Sequence, residues 1–214
     1  MTMLASTDAD SFEALAARRL RHEPPGILDA LSDPDGDHAL ERDFRPAGAA
    51  RPKPAAVLVP VVMHEEEATI LFTERASHLR DHSGQIALPG GKIDPDETPR
   101  ETAFREAEEE IGLDRSLVRP VGYLDSYLAS SGFIVFPVVG LVTPRFTLSL
   151  NTHEVADAFE VPLSFLMDPA NHEIHAREWK GRIRQYYAMP FGHRYIWGVT
   201  AGILRNLYVR LYDS

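Results

Sequence analysis

The stretch GGKIDPDETPRETAFREAEEEIGL, residues 90–113, decides the interpretation of this sequence. Residues 98–101, Thr-Pro-Arg-Glu, have the pattern of a capping box with proline at the first helical position. Gly112 supplies a C-terminal stop signal. We therefore predict a short helix over residues 98–111, delimited at both ends by its own sequence.

The predicted helix has two chemically different sides. Four apolar residues are expected to pack on a sheet: Ala103, Phe104, Ala107 and Ile111. Glu106, Glu109 and Glu110 are spaced i, i+3 and i+4, so their carboxylates are expected to share another side. They lie in the C-terminal half, where the helix dipole makes each exposed acid unfavourable by roughly 0.3–1 kcal/mol. This cost indicates that the charge has a use.

Carboxylate clusters of this kind suit hard cations such as Mg²⁺ or Mn²⁺. Taken alone, the acidic triple is more often a solvated face than a metal site. The fixed frame around it reverses that preference, because a glycine, a distant glutamate, Arg-Glu and Glu-Glu pairs and a second glycine all stand in register.

That frame resembles the signature of the Nudix hydrolases. The matching positions are Gly91, Glu97, Arg105, Glu106, Glu109, Glu110, Gly112 and Leu113, and Ala107 is small for its apolar slot. The resemblance implies an α/β (α+β) fold, the Nudix-type α/β/α sandwich with a mixed β-sheet. It also implies hydrolysis of nucleoside diphosphates linked to another group, with Mg²⁺ or Mn²⁺ as cofactor.

Residue roles follow from the same resemblance. Glu106 and Glu110 are expected to bind metal, with Glu109 sharing the metal shell and Gly91 lending its carbonyl oxygen. Arg105 is expected to orient a glutamate, and Glu97 to brace the loop and the helix.

A second motif lies upstream, in LFTERASHLRDHSGQIALPGG, residues 71–91. It resembles the motif of the coenzyme A diphosphatase subgroup of Nudix proteins, although Phe72, Ala76 and Leu88 depart from the usual residues. The likeness extends over about residues 51–212. Five residues of this region are candidates for binding substrate phosphates: Arg75, Arg80, His82, Gln85 and Lys92. Arginine suits phosphate because its planar fork donates two parallel hydrogen bonds. Without the motif, surface pairs with Glu74 and Asp81 are the favoured reading of the arginines.

The water-activating base is left open. A metal-bound glutamate of the helix, Glu109 included, could serve, and so could Glu154 or Glu160 from downstream, with Glu154 preferred. His82 is an alternative because histidine titrates near neutrality, but a hydrogen-bonded loop residue is the more frequent role. His172 and His175 lack further ligands for zinc.

Composition excludes several classes of protein. The 214-residue chain has a formal net charge of -10 and no block of lysines or arginines, which disfavours nucleic acids and anionic membranes as partners. The chain has no cysteine, which excludes disulfides and thiolate nucleophiles and fits a cytoplasmic location. Acidic residues near the start argue against a secretory signal or transit peptide, and the longest apolar run, 55–63, is too short to cross a bilayer.

Periodicity predicts helices at 11–21, 98–111 and 198–212. Strands are predicted at 55–63, 69–73, 85–88, 118–124, 133–142, 158–161, 173–178 and 183–189, the first two as a hairpin. We expect an N-terminal helix and extended arm over 1–50 and a Nudix domain over 51–214. The arm could contribute to a homodimer, which the sequence does not settle. Trp179, Tyr186 and Tyr187 are interpreted as packing residues.

Three functions remain from the sequence. The first is cleavage of coenzyme A or acyl-CoA to 4′-phosphopantetheine, or its acyl form, and adenosine 3′,5′-bisphosphate. The second is a Nudix hydrolase for ADP-ribose, NADH or another nucleoside diphosphate derivative. The third, of another class, is a catalytically silent Nudix-fold module that senses a nucleotide.

Overall fold

The computed structural model of the protein describes residues 9–26, 35, 36, 40, 52–78, 84–179 and 181–213. Within these residues the helices are α1 (Ala9–Arg19), α2 (Pro99–Ile111), α3 (Leu163–Leu166) and α4 (Val199–Tyr212). The strands are β1 (Lys53–Val62), β2 (Thr69–Arg75), β3 (Ile86–Ala87), β4 (Gly90–Lys92), β5 (Val118–Tyr123), β6 (Tyr127–Leu128), β7 (Phe133–Val142), β8 (Val155–Pro162), β9 (Glu173–Trp179), β10 (Arg182–Phe191) and β11 (Arg194–Trp197).

The main sheet is mixed, with β1 and β7 at its centre. These strands run parallel along their whole length, and the hairpin between β1 and β2 is antiparallel as predicted. The strand order is β3-β2-β1-β7-β5, with β4 paired to β1, β6 to β7 and β8 to β2. Both central strands are continuous apolar runs, which is typical of strands whose two faces are covered.

Helices cover both faces of this sheet. On one face, Ala103, Ala107 and Ile111 of α2 are buried in one apolar cluster with residues of β1 and β7. On the other face, α1 and α4 contribute to a second cluster, in which Phe12 and Leu207 are fully buried. The prediction of a mixed sheet between helices is confirmed. No described helix is both long enough and apolar enough to span a membrane.

A second, three-stranded antiparallel sheet has the order β9-β10-β11. Among its contacts with the rest of the domain is that of Phe191, whose ring centroid lies 4.9 Å from that of Phe165 on α3. The prediction missed β4, β6, β11 and α3, all of which have four residues or fewer. Elements this short carry no periodic pattern.

The N-terminal helix belongs to the packed core. Phe12, Ala16 and Leu20 are at most 4% exposed. Further along the chain, Asp35 is tied to the main sheet: its N–H donates to the Ser126 carbonyl at 3.0 Å, and its carbonyl accepts from the Leu128 N–H at 2.7 Å. Most of the extended arm predicted within residues 1–50 lies outside the described residues, so the homodimer contact stays a prediction.

Candidate active site

Helix α2 begins and ends where its sequence predicts. The Thr98 side chain accepts from the Glu101 N–H at 3.3 Å, and the Glu101 carboxylate accepts from the Thr98 N–H at 2.8 Å. Gly112 ends the helix in the left-handed conformation, with φ of +67°. The helix therefore has a fixed start and a fixed end, which sets the direction of each glutamate side chain on it.

Arg105 connects four groups of the site. Its Nε donates to Glu97 Oε1 at 2.7 Å, and Nη2 donates to Glu97 Oε2 at 3.0 Å, a bidentate pair. Its Nη1 donates to Glu106 at 2.9 Å and to Glu109 at 3.0 Å. The carbonyl of Lys92 accepts a longer bond at 3.4 Å. Arg105 thus holds carboxylates of the helix against the loop that precedes it.

Glu97 is held as a carboxylate. The Arg105 hydrogen bonds lower its pKa from 4.5 to about 2, with a further contribution from the Thr102 hydroxyl, which donates at 2.6 Å. Thr102 itself is fully buried. The sequence did not single out Thr102, because nothing in the pattern of residues 97–102 shows that its hydroxyl faces Glu97.

Glu110 is in the opposite situation. It is only 5% exposed and faces the Gly90 N–H at 3.3 Å. Burial, reinforced by the charge of Glu106, raises its pKa to about 8. The three glutamates of the helix therefore differ in their exposure to solvent. Glu109 is mostly exposed, whereas Glu110 lies at the interface between α2 and the sheet.

Glu106 combines features of both residues, because it is partly buried and also accepts a hydrogen bond from Arg105. Burial raises its pKa, and the hydrogen bond from Arg105 opposes the shift. Its carboxylate lies directly against Gly91 on β4, so a Cβ atom at position 91 would overlap the carboxylate. A larger residue at 91 would therefore displace the Glu106 carboxylate from this position.

The carboxylates do not form a ready-made metal centre. Within the described part of the chain, no three acidic or histidine side chains converge as ligands of one ion. The donor set still fits a hard divalent cation chemically, because it consists of carboxylate oxygens that disfavour one another's ionisation. Glu106 raises the pKa of Glu110, and Glu154 raises the pKa of both. A bound cation would relieve this repulsion.

Glu154 reaches this cluster from the segment before β8. The backbone of that segment is tied to the end of α2, where the Asn151 N–H donates to the Glu110 carbonyl at 2.9 Å. The Asn151 side chain donates to Glu154 at 3.2 Å. Glu160, the other candidate base, accepts instead from Thr69 and contacts His64 at 2.6 Å. The charge of Glu154 therefore acts on Glu106 and Glu110 of α2, whereas Glu160 is bonded to Thr69 and His64.

The upstream motif also reaches the cluster. Arg75 ends β2, and its positive charge lowers the pKa of Glu110. Its backbone N–H donates to the Gln85 carbonyl at 3.0 Å, and the Gly84 N–H donates to the Arg75 carbonyl at 3.1 Å. Arg80 and His82 lie outside the described residues. The side chain of Lys92 is exposed on β4, next to Gly91.

His172 and His175 each contact neighbouring protein groups. His172 Nε2 contacts the Leu166 carbonyl at 2.7 Å, and His175 contacts Glu173 and Tyr195. Neither belongs to a group of potential metal ligands within the residues described.

The structure thus combines a mixed sheet between helices with a carboxylate-rich helix packed behind a Gly-Gly strand. The family model of the NUDIX domain matches residues 52–181. The chain therefore belongs to the Nudix family, and the prediction of a Nudix hydrolase is confirmed at that level. Nudix hydrolases generally use divalent metals such as Mg²⁺ or Mn²⁺.

Curated relatives agree with this assignment. The "Uncharacterized Nudix hydrolase NudL" of Yersinia enterocolitica is 44% identical over 157 residues, which is 72% of this chain and 78% of the relative. The NudL protein of Yersinia pestis is 42% identical over 154 residues, 72% of this chain and 77% of its own length. A solved MutT/nudix family protein from Enterococcus faecalis shares the fold at 15% identity, with a TM-score of 0.52 over 98% of this chain and 76% of its own.

Proposed function

We propose that the protein hydrolyses the pyrophosphate bond of coenzyme A or an acyl-CoA in the presence of Mg²⁺ or Mn²⁺. The products would be 4′-phosphopantetheine, or its acyl form, and adenosine 3′,5′-bisphosphate. The observation that carries the proposal is that the positive charge of Arg75, a residue of the coenzyme A motif, acts on the buried Glu110 and lowers its pKa.

Strand pairing supports this use of the motif. β2 and β3 pair through Thr73 with Ala87 and Glu74 with Ile86, so the two halves of the 71–91 motif are hydrogen-bonded to each other in the sheet to which β4 also belongs. Arg75 Nε is buried and, within the described residues, makes no hydrogen bond. A buried guanidinium N–H without a partner is costly, and a phosphate oxygen is a suitable acceptor for it.

Other residues of the motif would complete the substrate site. We propose that Arg80, His82, Gln85 and Lys92 bind or position the phosphates together with Arg75. The net charge of -10 makes such local cations necessary, because the protein as a whole repels an anionic substrate.

Glu106, Glu109 and Glu110, with the Gly91 carbonyl, would hold the metal. When bound, the metal neutralises charge on the diphosphate and lowers the pKa of the attacking water. Arg105 keeps Glu106 and Glu109 oriented through its Nη1 hydrogen bonds. Glu97 fixes the guanidinium in turn, since both of its oxygens accept from Arg105.

Glu154 is our proposed acceptor of the proton from the attacking water. It is exposed, so water reaches it, and Asn151 orients it by a hydrogen bond. Glu109, also exposed, is the alternative acceptor from the helix. Comparison of Glu154→Gln and Glu109→Gln tells which residue is the base. Loss of the base lowers kcat and removes the increase of kcat with rising pH.

The test of substrate is turnover of coenzyme A, ADP-ribose, NADH and a diadenosine polyphosphate with Mg²⁺ or Mn²⁺. We expect the highest kcat/KM for coenzyme A and a larger loss for coenzyme A than for ADP-ribose in Arg75→Ala. A preference for ADP-ribose or NADH would reject the coenzyme A assignment and leave the hydrolase. Tight binding of coenzyme A without turnover of any substrate would indicate a nucleotide-sensing module.

A further inference from the structure

Arg194 begins β11 in the small sheet and reaches across to the main sheet. We propose that Arg194 is a positioning residue: it fixes the end of β2 and the start of β8, and through them Arg75 and Glu154. The proposal rests on the hydrolase function proposed above, and it adds to the site a residue from outside the catalytic helix and both motifs.

The guanidinium of Arg194 joins two carboxylates. Its Nη1 donates to Glu74 on β2, and its Nη2 donates to Asp157 on β8 at 2.5 Å. Its Cζ lies 4.0 Å from the centroid of the Phe159 ring. The Arg194 side chain is 16% exposed, and those of Glu74 and Asp157 are 33% and 47% exposed, so the two contacts are partly shielded from solvent.

The two carboxylates face each other across the strand pair. Glu74 is the cross-strand partner of Asp157, and like charges in directly opposite positions repel. A single arginine that donates to both converts this repulsion into attraction. Without it, β2 and β8 are expected to separate at this pair.

This pair lies at an irregularity in the strand register. Glu74 pairs with Asp157, but the next residue, Arg75, pairs with Val155, so β8 carries one extra residue at this point. Such bulges bend the strand and redirect side chains. Both catalytic-site candidates lie immediately beyond it: Arg75 follows Glu74, and the Glu154 carbonyl accepts from the Ala76 N–H at 2.8 Å.

The backbone at Arg194 is itself held in place. The β10–β11 hairpin turns through Gly192, with φ of +58°, and pairs Phe191 with Arg194. Phe191 packs against Phe165. Arg194 therefore extends from an anchored hairpin end and can hold the strands in place.

A double-mutant cycle tests whether Arg194 acts through Arg75. We expect Arg194→Met to lower kcat/KM for coenzyme A about 10- to 100-fold, the effect of a small misplacement of site groups. If Arg194 acts through Arg75, adding Arg194→Met to Arg75→Ala lowers kcat/KM little further. The two single variants should then also show the same ratio of change in kcat to change in KM. Arg177→Met is the matched control, because Arg177 lies on the opposite face of the small sheet, over Trp197.

Losses that multiply in the double variant, or an Arg194→Met enzyme as active as wild type, would overturn the proposal. Arg194→Lys keeps the cation between the carboxylates but loses the planar fork, so intermediate activity is expected. Hydrogen exchange at the Ala76 amide should be faster in Arg194→Met and near wild type in Arg177→Met. Unchanged exchange would contradict the proposed anchoring whether or not the variant folds as stably.

The proposed function and this inference fail in different ways. If wild type does not hydrolyse coenzyme A, the substrate proposal fails, and the same cycle is measured on the hydrolysed substrate of the panel. If no substrate is hydrolysed, the double-mutant cycle is measured as the affinity of each variant for adenosine 3′,5′-bisphosphate, determined by calorimetry. Additive effects there would reject Arg194 as a positioning residue.

Discussion

At the scale of single residues, the site shows how surroundings divide one side-chain type into different states. Glu97 receives hydrogen bonds from Arg105 and Thr102, and its pKa falls to about 2. Glu110 is buried beside other acids, and its pKa rises to about 8. The first is suited to a permanent ion pair with Arg105, and the second to a group that gains from a cation.

The Glu97 shift predicts a pH-dependent contribution to stability. Because the folded pKa lies below the unfolded value of 4.5, the stabilisation is fully present above about pH 4.5 and is lost as the pH falls toward 2. We therefore expect Glu97→Gln to lower Tm at pH 7 and to approach wild type at the lowest pH. Thermal unfolding between pH 2.5 and 7 measures this, with Glu66→Gln in the exposed β1–β2 turn as control. A difference in Tm that is the same at every pH would contradict the ion pair.

Glu110→Gln is expected to separate stability from activity. The substitution removes a buried carboxylate that repels Glu106 and Glu154. In metal-free protein at pH 8 it should raise the free energy of unfolding by on the order of 2 kcal/mol, since a buried amide offsets part of the gain. Denaturation in EDTA checks this, and the same variant should lose turnover. A less stable variant under these conditions would show that Glu110 stabilises the fold.

At the scale of elements, the bounds of helix α2 are determined by residues close in sequence, whereas the groups around it are brought there by distant segments. The capping box and Gly112 involve residues close in sequence, so their pattern predicted the helix to within a residue. The contacts of Asn151 with Glu154 and of Arg194 with Glu74 join distant segments. No spacing rule predicts them, because they depend on how β8 and the small sheet pack. Burial of Glu110 was missed for the same reason.

Thr98→Ala tests the local specification of α2. Loss of the cap should cost about 1 kcal/mol of stability, measured by chemical denaturation. Turnover should change little, because Glu106 and Glu110 lie in the other half of the helix. The matched control is Thr147→Ala at an exposed loop position, expected near wild type. A large loss of activity with unchanged stability would mean that the cap positions the site directly.

At the scale of the whole molecule, the Nudix sandwich and the N-terminal helix share one core. Phe12 of α1 is fully buried in the cluster that contains α4. The sequence predicted the helix from its apolar spacing and placed it, with the extended arm, in residues 1–50, before the Nudix domain. The position of α1 depends on burial of Phe12, Ala16 and Leu20 together, which the residue pattern of the arm does not reveal.

Phe12→Ala is expected to destabilise the whole domain by about 3–5 kcal/mol, the usual cost of deleting a buried phenylalanine ring. Glu13→Gln, which removes the exposed pair with Arg119, should change stability by less than about 0.5 kcal/mol. Urea unfolding of both variants measures the difference. Equal, small effects would show that α1 folds apart from the sandwich.

The most direct test of the central claim is product analysis after incubation of coenzyme A with the protein and Mg²⁺ or Mn²⁺. We predict equal amounts of 4′-phosphopantetheine and adenosine 3′,5′-bisphosphate, and neither product with EDTA or with Glu110→Gln. Coenzyme A left intact by a protein that hydrolyses another nucleoside diphosphate derivative would contradict the claim, as would product formation that does not depend on Glu110.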